Sequence, residues 1–483
     1  MKFGLIFRII GILLMVFSLT MLGPLAISFL YQDGGMRPFI LSFTITSLAG
    51  LALWLLNRNR EGELHAREGF IIVALFWIVL GGVSSLPLHF SKAPDLSTTD
   101  AVFEAVSGLT TTGATIIDNI ESLPQSMLWY RQQMQWLGGL GVVVIALAIL
   151  PLLGVGGMQL YRAETTGPSK HDKMKPRLRE TARSFLKIYL LLTIACGLAY
   201  WLAGMSGFDA VAHAMSTIST GGFSTYDASI AHFDSRLVEF IAIVFMTIGG
   251  LSFGLLYLMI VGRKPLALFE HSEARGYLAT IGAIVLLTTV YLLYTAHHPG
   301  IINALFDSLF QVVSVITSTG FSTERFASWP GFLPVLLIFL SIMGGCAGST
   351  SGGMKVIRFQ LLLKQGKREV QKLVHPNAVM PVKIGKRLVN DRIIESIWGF
   401  FAAYTVVYVV LMVMLIASGL DQVSAFSAVA ATLNNLGPGL GDVADNFAGL
   451  TDFGKWVGIL AMLMGRLEIF TVLVLLTPEF WRH

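Results

Sequence analysis

Thr110-Thr111-Thr112-Gly113-Ala114-Thr115 decides how this chain is read, because variants of it return three times. They are Ser219-Thr220-Gly221-Gly222-Phe223-Ser224-Thr225, Thr317-Ser318-Thr319-Gly320-Phe321-Ser322-Thr323 and Asn434-Asn435-Leu436-Gly437-Pro438-Gly439. Each is a short turn rich in hydroxyl or amide groups around one glycine, and each follows a short amphipathic helical pattern in a very apolar chain. Four polar, glycine-centred turns at membrane depth point to a pore lined by backbone, because non-helical backbone cannot face lipid.

The repeat extends outward from the glycines. Thirteen residues before Gly113, Gly222 and Gly320 stand Asp100, Asp209 and Asp307, with Ser424 in the fourth copy. Asp and Ser are good N-caps, so a short helix is expected to start there. Six residues before the glycine stand Ser107, Ser216, Ser314 and Ala431. Beyond each turn a small-residue pair follows: Gly138-Gly139, Gly249-Gly250, Gly344-Gly345 and Gly465-Arg466. Agreement at helix start, turn and following span makes chance a poor explanation.

Composition fits a polytopic membrane protein. Residues of the AVILMFWYC set make up 54% of the chain and charged residues 13%, with mean hydropathy +0.70. Apolar runs of about 20 residues recur from end to end. Cys196 and Cys346 both lie in apolar segments, which argues for buried packing rather than a disulfide framework or a zinc site. Lys2 and Arg8 precede an apolar stretch reaching Leu30. That stretch is too long for a signal-peptide core and no small-x-small cleavage site follows, so it reads as a span. The net charge of +5 sits in loops between spans, which fits positive-inside topology better than nucleic-acid binding.

In chain order, two spans (5–30 and 38–56) lead to a hydrophilic junction with Arg58, Arg60, Glu61, Glu63 and Arg67. A four-part cycle follows: a span, a short helix ending in the glycine turn, a second span, and a basic connector. The first cycle has spans at 69–90 and 134–153 around a short helix at 99–109; its connector carries Arg162, Lys170, Lys173, Lys175, Arg177, Arg179, Arg183 and Lys187. The later cycles have spans at 185–203 and 240–261, at 276–295 and 332–353, and at 397–417 and 456–476. The expected division is 1–67 for the N-terminal pair, then 68–183, 184–275, 276–392 and 393–483 for the four repeats. If the short helices dip in and return, every basic connector and both termini fall on one side, the cytoplasmic one. The other side carries Asp118, Glu121, Asp227, Asp234, Glu324, Asp442, Asp445 and Asp452, a mildly negative outer mouth for a cation. The expected fold is therefore all-α and polytopic, with four membrane–pore-helix–membrane repeats around one pseudo-fourfold pore plus two N-terminal transmembrane helices.

Four half-spanning helices with extended turns present carbonyl oxygens that replace a cation's hydration shell. Neutral oxygen ligands suit a monovalent hard cation, and Asp/Glu rings are missing from the turns. Because the turns differ at nearly every position but the glycine, a single site where the glycines meet is expected rather than a long filter. The candidate filter residues are Thr111, Thr112 and Gly113; Thr220, Gly221 and Gly222; Ser318, Thr319 and Gly320; and Asn435, Leu436 and Gly437. Thr and Ser beside the glycine either add hydroxyl ligands or hold the turn.

These turns resemble the filter sequences of the Trk/Ktr/HKT cation transporters. So do Gly344-Gly345-Cys346-Ala347-Gly348-Ser349-Thr350-Ser351-Gly352-Gly353-Met354-Lys355, His375-Pro376-Asn377 and Gly465-Arg466-Leu467-Glu468. The resemblance covers essentially the whole chain and is nearest to the bacterial potassium-uptake members. It implies potassium uptake at the bacterial inner membrane, a homodimer, and a cytosolic nucleotide-binding regulatory subunit of the TrkA type. Potassium is then the substrate, with no cofactor on this chain and nucleotides held by the partner. The fourth turn, with Leu436 and Pro438, is the least regular copy.

Several residues keep two readings each. Gly344, Gly345, Cys346, Ala347, Gly348, Ser349, Thr350, Ser351, Gly352 and Gly353 should break the second span of the third repeat. That run is either a gating loop beneath the glycine site or a close helix contact through small residues. The other small-residue pairs are read as close contacts, and no Gly-Lys-Ser/Thr follows to suggest a phosphate loop. Arg466 interrupts an apolar span, so it either faces the pore below the filter as a barrier to cations, touching the 344–353 loop, or forms a structural ion pair. Glu468, two residues on, points away and is not its obvious partner. Glu104, His213 and Gln311 stand nine residues before their glycines, with Ala428 in the fourth copy. Hydrogen bonding behind the filter is favoured for them over a proton relay. The third connector is either a plain solvated loop or, as the resemblance suggests, the regulator's docking surface.

The leading function is gated, channel-like potassium permeation, and the alternative is a proton- or sodium-coupled symporter. The repeats all run in one direction, against the inverted repeats of many carriers. An enzyme lacks support, since no His-Glu-x-x-His, paired catalytic aspartates or nucleophile motif is present.

Overall fold

A computed structural model of the chain describes residues 3–60, 66–148, 174–298, 300–378, 380–385 and 387–482. The first basic connector from Arg162 through Lys170 to Lys173, Glu61 and Glu63 of the junction, and the 149–153 end of the first repeat's second span lie outside the described residues. Six helices among the described residues are long and apolar enough to cross a membrane, and two bent pairs bring the number to as many as 8.

Helices Phe3–Thr20 and Leu22–Tyr31 together make one span, and Met36–Asn57 returns alongside it. The pair packs closely because Gly11 and Gly50 face each other. A Cβ on either would stand 2.8 Å from the other's carbonyl oxygen. Asp33, in the turn between the spans, accepts the amide of Ser126 at 2.8 Å and so fastens this pair to the first repeat.

Each repeat then brackets a short buried helix with longer ones. The short helices are Thr98–Leu109, Gly207–Ser219, Ile301–Ile316 and Gln422–Leu433. They are preceded by Ala66–Phe90, Met174–Leu202, Ser272–Tyr294 and Asp391–Ala417, and followed by Gln125–Ala148, Arg236–Gly249, Leu333–Met343 and Asp452–Leu467. One apolar core runs through all four repeats, and a smaller one packs Ile6, Ile10 and Leu14 of the N-terminal pair against Trp77, Leu467 and Phe480. The chain is an all-α polytopic membrane fold. Its described strands are a two-residue antiparallel pair in the third connector, Lys383–Ile384 with Arg387–Leu388.

The helix starts differ from expectation. Asp100 and Asp209 are not the caps: Ser97 and Ser206 are, and their hydroxyls accept the Asp amides while donating to the same Asp carboxylates at 2.8 and 2.7 Å. The acid three residues into a helix favours the positive N-terminal end, which is why Ser-x-x-Asp starts a helix at the Ser. In the fourth repeat Asp421 caps instead of Ser424, and the third helix starts after Gly300, leaving Asp307 two turns inside. There it pairs with Arg236 at 2.7 Å.

The second spans of the second and fourth repeats also break, where close packing alone was expected, while the third breaks at the expected 344–353 run. Arg236–Gly249 and Phe253–Ile260 meet at 105°, and Asp452–Leu467 and Ile469–Leu476 at 109°. In the third repeat the chain leaves the helix at Gly344, whose φ is 70°, and regains it only at Val356–Val374. The freed backbone is satisfied across repeats. The amide of Cys346 donates to Gly250 at 2.9 Å and that of Phe253 to Gly348 at 3.0 Å. Close packing holds as well, since a Cβ on Gly138 or Gly465 would lie 1.8 or 2.1 Å from the carbonyl of Leu109 or Leu433.

Candidate functional site

All four short helices end at their glycine turns in the same way. The amides of Thr112, Gly221, Thr319 and Leu436 reach back to the carbonyls of Ser107, Ser216, Ser314 and Ala431. One residue earlier, Thr111, Thr220, Ser318 and Asn435 donate to Gly108, Thr217, Val315 and Thr432. This doubled bond is a Schellman cap, whose pivot must be left-handed. The pivots here are Thr111, Thr220, Ser318 and Asn435, with φ of 54°, 53°, 52° and 53°. Side-chained residues therefore carry the left-handed conformation at each cap.

The glycines turn left-handed too, with φ of 80°, 82°, 79° and 97° at Gly113, Gly222, Gly320 and Gly437. Their neighbours give a second reason for glycine. A Cβ on Gly113 would stand 2.2 Å from the carbonyl oxygen of Gly221, and one on Gly222 1.8 Å from that of Thr319. On Gly320 it would stand 2.1 Å from that of Leu436, and on Gly437 2.8 Å from that of Thr112. Each of those carbonyls belongs to the residue just before the next turn's glycine. The four contacts are thus equivalent, run in the order one, two, three, four, and close back on one. Eight of the twelve candidate filter residues form these contacts, and the other four, Thr111, Thr220, Ser318 and Asn435, are the cap pivots one residue earlier.

The four glycines open onto one vestibule of about 630 Å³, whose lining includes Asp118, Asp227, Glu324 and Asp445. The other outer acids, Glu121, Asp234, Asp442 and Asp452, are not in that lining. The helix C-termini converge on the ring, and each carries roughly half a negative charge. Both features favour a cation at the ring, and no metal-binding carboxylate is needed there.

The hydroxyls and amides beside the glycines are occupied in holding the turns. Thr110 and Thr112 share a hydrogen bond of 2.7 Å, as do Thr317 and Thr319. Asn435 donates to Thr112 at 2.9 Å, tying turn four to turn one, and Tyr404 donates to Asn434 at 2.6 Å. Behind the ring, Glu104 accepts the amide of Ile116 at 3.0 Å, His213 meets Ser224 at 3.0 Å, and Gln311 donates to the carbonyl of Glu324 at 2.9 Å. In the fourth copy, where Ala428 has no polar atom to offer, Ser427 accepts the amide of Leu440 at 2.8 Å.

Two supports were missed in the sequence. Arg131, fully buried, pairs with Glu104 at 2.8 Å and lies 4.2 Å over the Phe223 ring, joining the first two turns. Gln135 donates to Gly221 at 2.7 Å and accepts from Phe223 at 3.0 Å and from Ser216 at 2.7 Å. Their signal was the run of polar residues in an otherwise apolar second span, Arg131, Gln132, Gln133 and Gln135.

On the other side of the ring lies the 344–353 loop. The Gly352 amide donates to Ser318 at 2.5 Å, and a Cβ on Gly352 would stand 2.0 Å from the carbonyl oxygen of Asn434. Thr350 donates to Ile218 and Gly249 at 3.1 and 3.2 Å, while Gly345 donates to Ser351 at 2.9 Å. Ala347 donates to Glu273 at 2.7 Å. Arg466 donates to the Thr350 carbonyl at 3.0 Å, so it touches the loop. Glu468 indeed points elsewhere, to Arg358 at 3.0 Å. A cavity of about 130 Å³ is lined by Gly348, Ser349, Ser351, Gly352 and Gly353 together with Lys355, Arg358, Arg466 and Glu468. Lys355, whose Nζ donates to the Ser351 carbonyl, adds a second cation there.

Comparison with known proteins finds full-length relatives of this chain. Residues 36–482 match the family described as TrkH, cation transport protein. The chain is 52% identical to the Trk system potassium uptake protein TrkH of Salmonella typhimurium, over 100% of both chains. It is 40% identical to TrkG of Escherichia coli, covering 98% of this chain and 97% of that one. The crystal structure of the potassium transporter TrkH from Vibrio parahaemolyticus superposes with a TM-score of 0.93 at 49% identity, over 100% of both chains. The chain belongs to the TrkH family of cation transport proteins, which are transporters and not enzymes.

Proposed function

We propose that this chain takes up potassium across the bacterial inner membrane by channel-like permeation through the ring of four glycine turns. The observation that carries the reading is the closed set of equivalent contacts from Gly113, Gly222, Gly320 and Gly437 to the carbonyls of the next turn. Such a ring surrounds one axis, is supplied from an acid-lined vestibule, and sits where four helix C-termini converge. Backbone oxygens of the twelve filter residues replace the hydration shell of a monovalent cation. The names of the relatives, potassium uptake proteins, support potassium as the substrate.

The 344–353 loop is the gate in this reading, since it lies against turns two, three and four from below. Arg466 and Lys355 add a positive barrier beside it. Both termini and the basic connectors face the cytoplasm, the chain works as a homodimer, and a TrkA-like nucleotide-binding subunit docks near the third connector around His375-Pro376-Asn377. The division into an N-terminal pair (1–67) and four repeats (68–183, 184–275, 276–392, 393–483) belongs to the same reading. This chain needs no cofactor of its own.

Single-channel recording of the purified chain in planar bilayers tests the mode of transport. Unitary potassium currents far above carrier turnover are expected. Potassium movement that requires a proton or sodium gradient would instead make the protein a symporter.

A further inference from the structure

His297, His298 and Glu324 stand outside the ring, where the first span of the third repeat hands over to its short helix. One ligand atom from each lies within 4.8 Å of the others. Nε2 of His298 is 3.3 Å from Oε1 of Glu324 and 3.5 Å from Oδ2 of Asp307. Tetrahedral zinc with bonds of about 2.0–2.1 Å sets neighbouring ligand atoms about 3.4 Å apart, so the His298–Glu324 separation suits a shared ion. We propose that His297, His298 and Glu324, with Asp307 beside His298 as an outer partner, bind a divalent transition-metal ion, Zn2+, at the rim of the vestibule.

The outer partners needed to orient such ligands are present. Arg236 holds the other oxygen of Asp307 at 2.7 Å, and Trp329 donates to Glu324. His297 is exposed, which gives an ion a way in. The positive start of helix Ile301–Ile316 opposes a cation, and the two carboxylates beside it outweigh that. Without metal, Nε2 of His298 contacts the same carboxylates directly, and a bound ion takes the place of those contacts.

The site is coupled to the ring through Glu324. Glu324 is one of the residues lining the vestibule, and its carbonyl accepts the side-chain amide of Gln311 on the third short helix. A bound ion neutralises one acid of the mouth and fixes the segment leaving Gly320, which lowers potassium uptake. That consequence rests on the proposed conduction path, whereas the binding itself does not.

Titration calorimetry of the purified full chain with ZnCl2 tests the binding. About one Zn2+ per chain is expected, with weakening of roughly tenfold or more in His298→Ala and in His297→Ala. The exposed His297 gives a variant that leaves the His298–Glu324 and Arg236–Asp307 pairs untouched. No binding, or an isotherm unchanged in both variants, would overturn the proposal. A second arm adds Zn2+ on the vestibule side during uptake. Inhibition of the wild type and not of His297→Ala is expected; unaltered uptake with binding intact would overturn the coupling alone.

Discussion

Arg466 donates from Nη1 to the carbonyl oxygen of Thr350 at 3.0 Å, joining the bend of the fourth repeat to the loop of the third. Its Nε and Nη2 have no hydrogen-bond partner among the described residues, although they are buried. A guanidinium held this way keeps its charge beside the loop instead of spending it on a carboxylate.

Arg466→Ala removes a charge-assisted bond worth about 1.5–3 kcal/mol to the loop and a positive charge from the path. Its rubidium uptake rate into proteoliposomes should rise several-fold at saturating cation, with Arg466→Lys between the two. A variant with wild-type rate and wild-type apparent affinity would leave Arg466 a structural role only.

Gly352→Ala acts on the same loop from the other side. The added Cβ meets the Asn434 carbonyl at 2.0 Å, and Asn434 is braced by Tyr404 and by Ser341. The loop must therefore give way rather than the turn. Uptake without the regulatory partner should increase while the apparent potassium affinity stays the same. A weakened affinity with unchanged rate would mean that the turn yields instead.

Glu104→Gln leaves Arg131 buried without its counter-charge, a loss of about 3–5 kcal/mol. It also weakens the hold on the Ile116 amide behind the first turn. A lower melting temperature in detergent and a higher KM for potassium are expected together. Glu104→Leu combined with Arg131→Met should recover stability but not KM, because only the native pair reaches both turns. Recovery of both would reduce the pair to packing.

Much of this arrangement was legible from the chain. Glycine at a fixed place in four copies exposed the repeat, since few other residues accept φ near 80° against a neighbouring carbonyl. Arg466 was legible because a charge in an apolar span needs a reason. The Schellman pivots were not, because Thr111, Thr220, Ser318 and Asn435 are ordinary polar residues whose left-handed φ is imposed by the cap. The bends at Gly250 and Glu468 were not legible, because a glycine pair or a charged residue in an apolar span is equally compatible with a continuous helix. They are held by contacts from distant sequence: Cys346 on Gly250, and Arg358 on Glu468. The helix starts were misread by three residues in the first two copies, since Ser-x-x-Asp offers two capping residues and only the first leaves its own amide outside the helix.

The ring of glycines is tested most directly by the apparent KM for potassium of Gly113→Ser, Gly222→Ser, Gly320→Ser and Gly437→Ser, measured as uptake in a strain lacking its own potassium uptake. KM should rise in all four, with lost discrimination against sodium. The rise should be smallest for Gly437→Ser, whose Cβ has 2.8 Å to the neighbouring carbonyl against 1.8–2.2 Å at the other three. Wild-type KM and wild-type discrimination in all four variants would contradict the account.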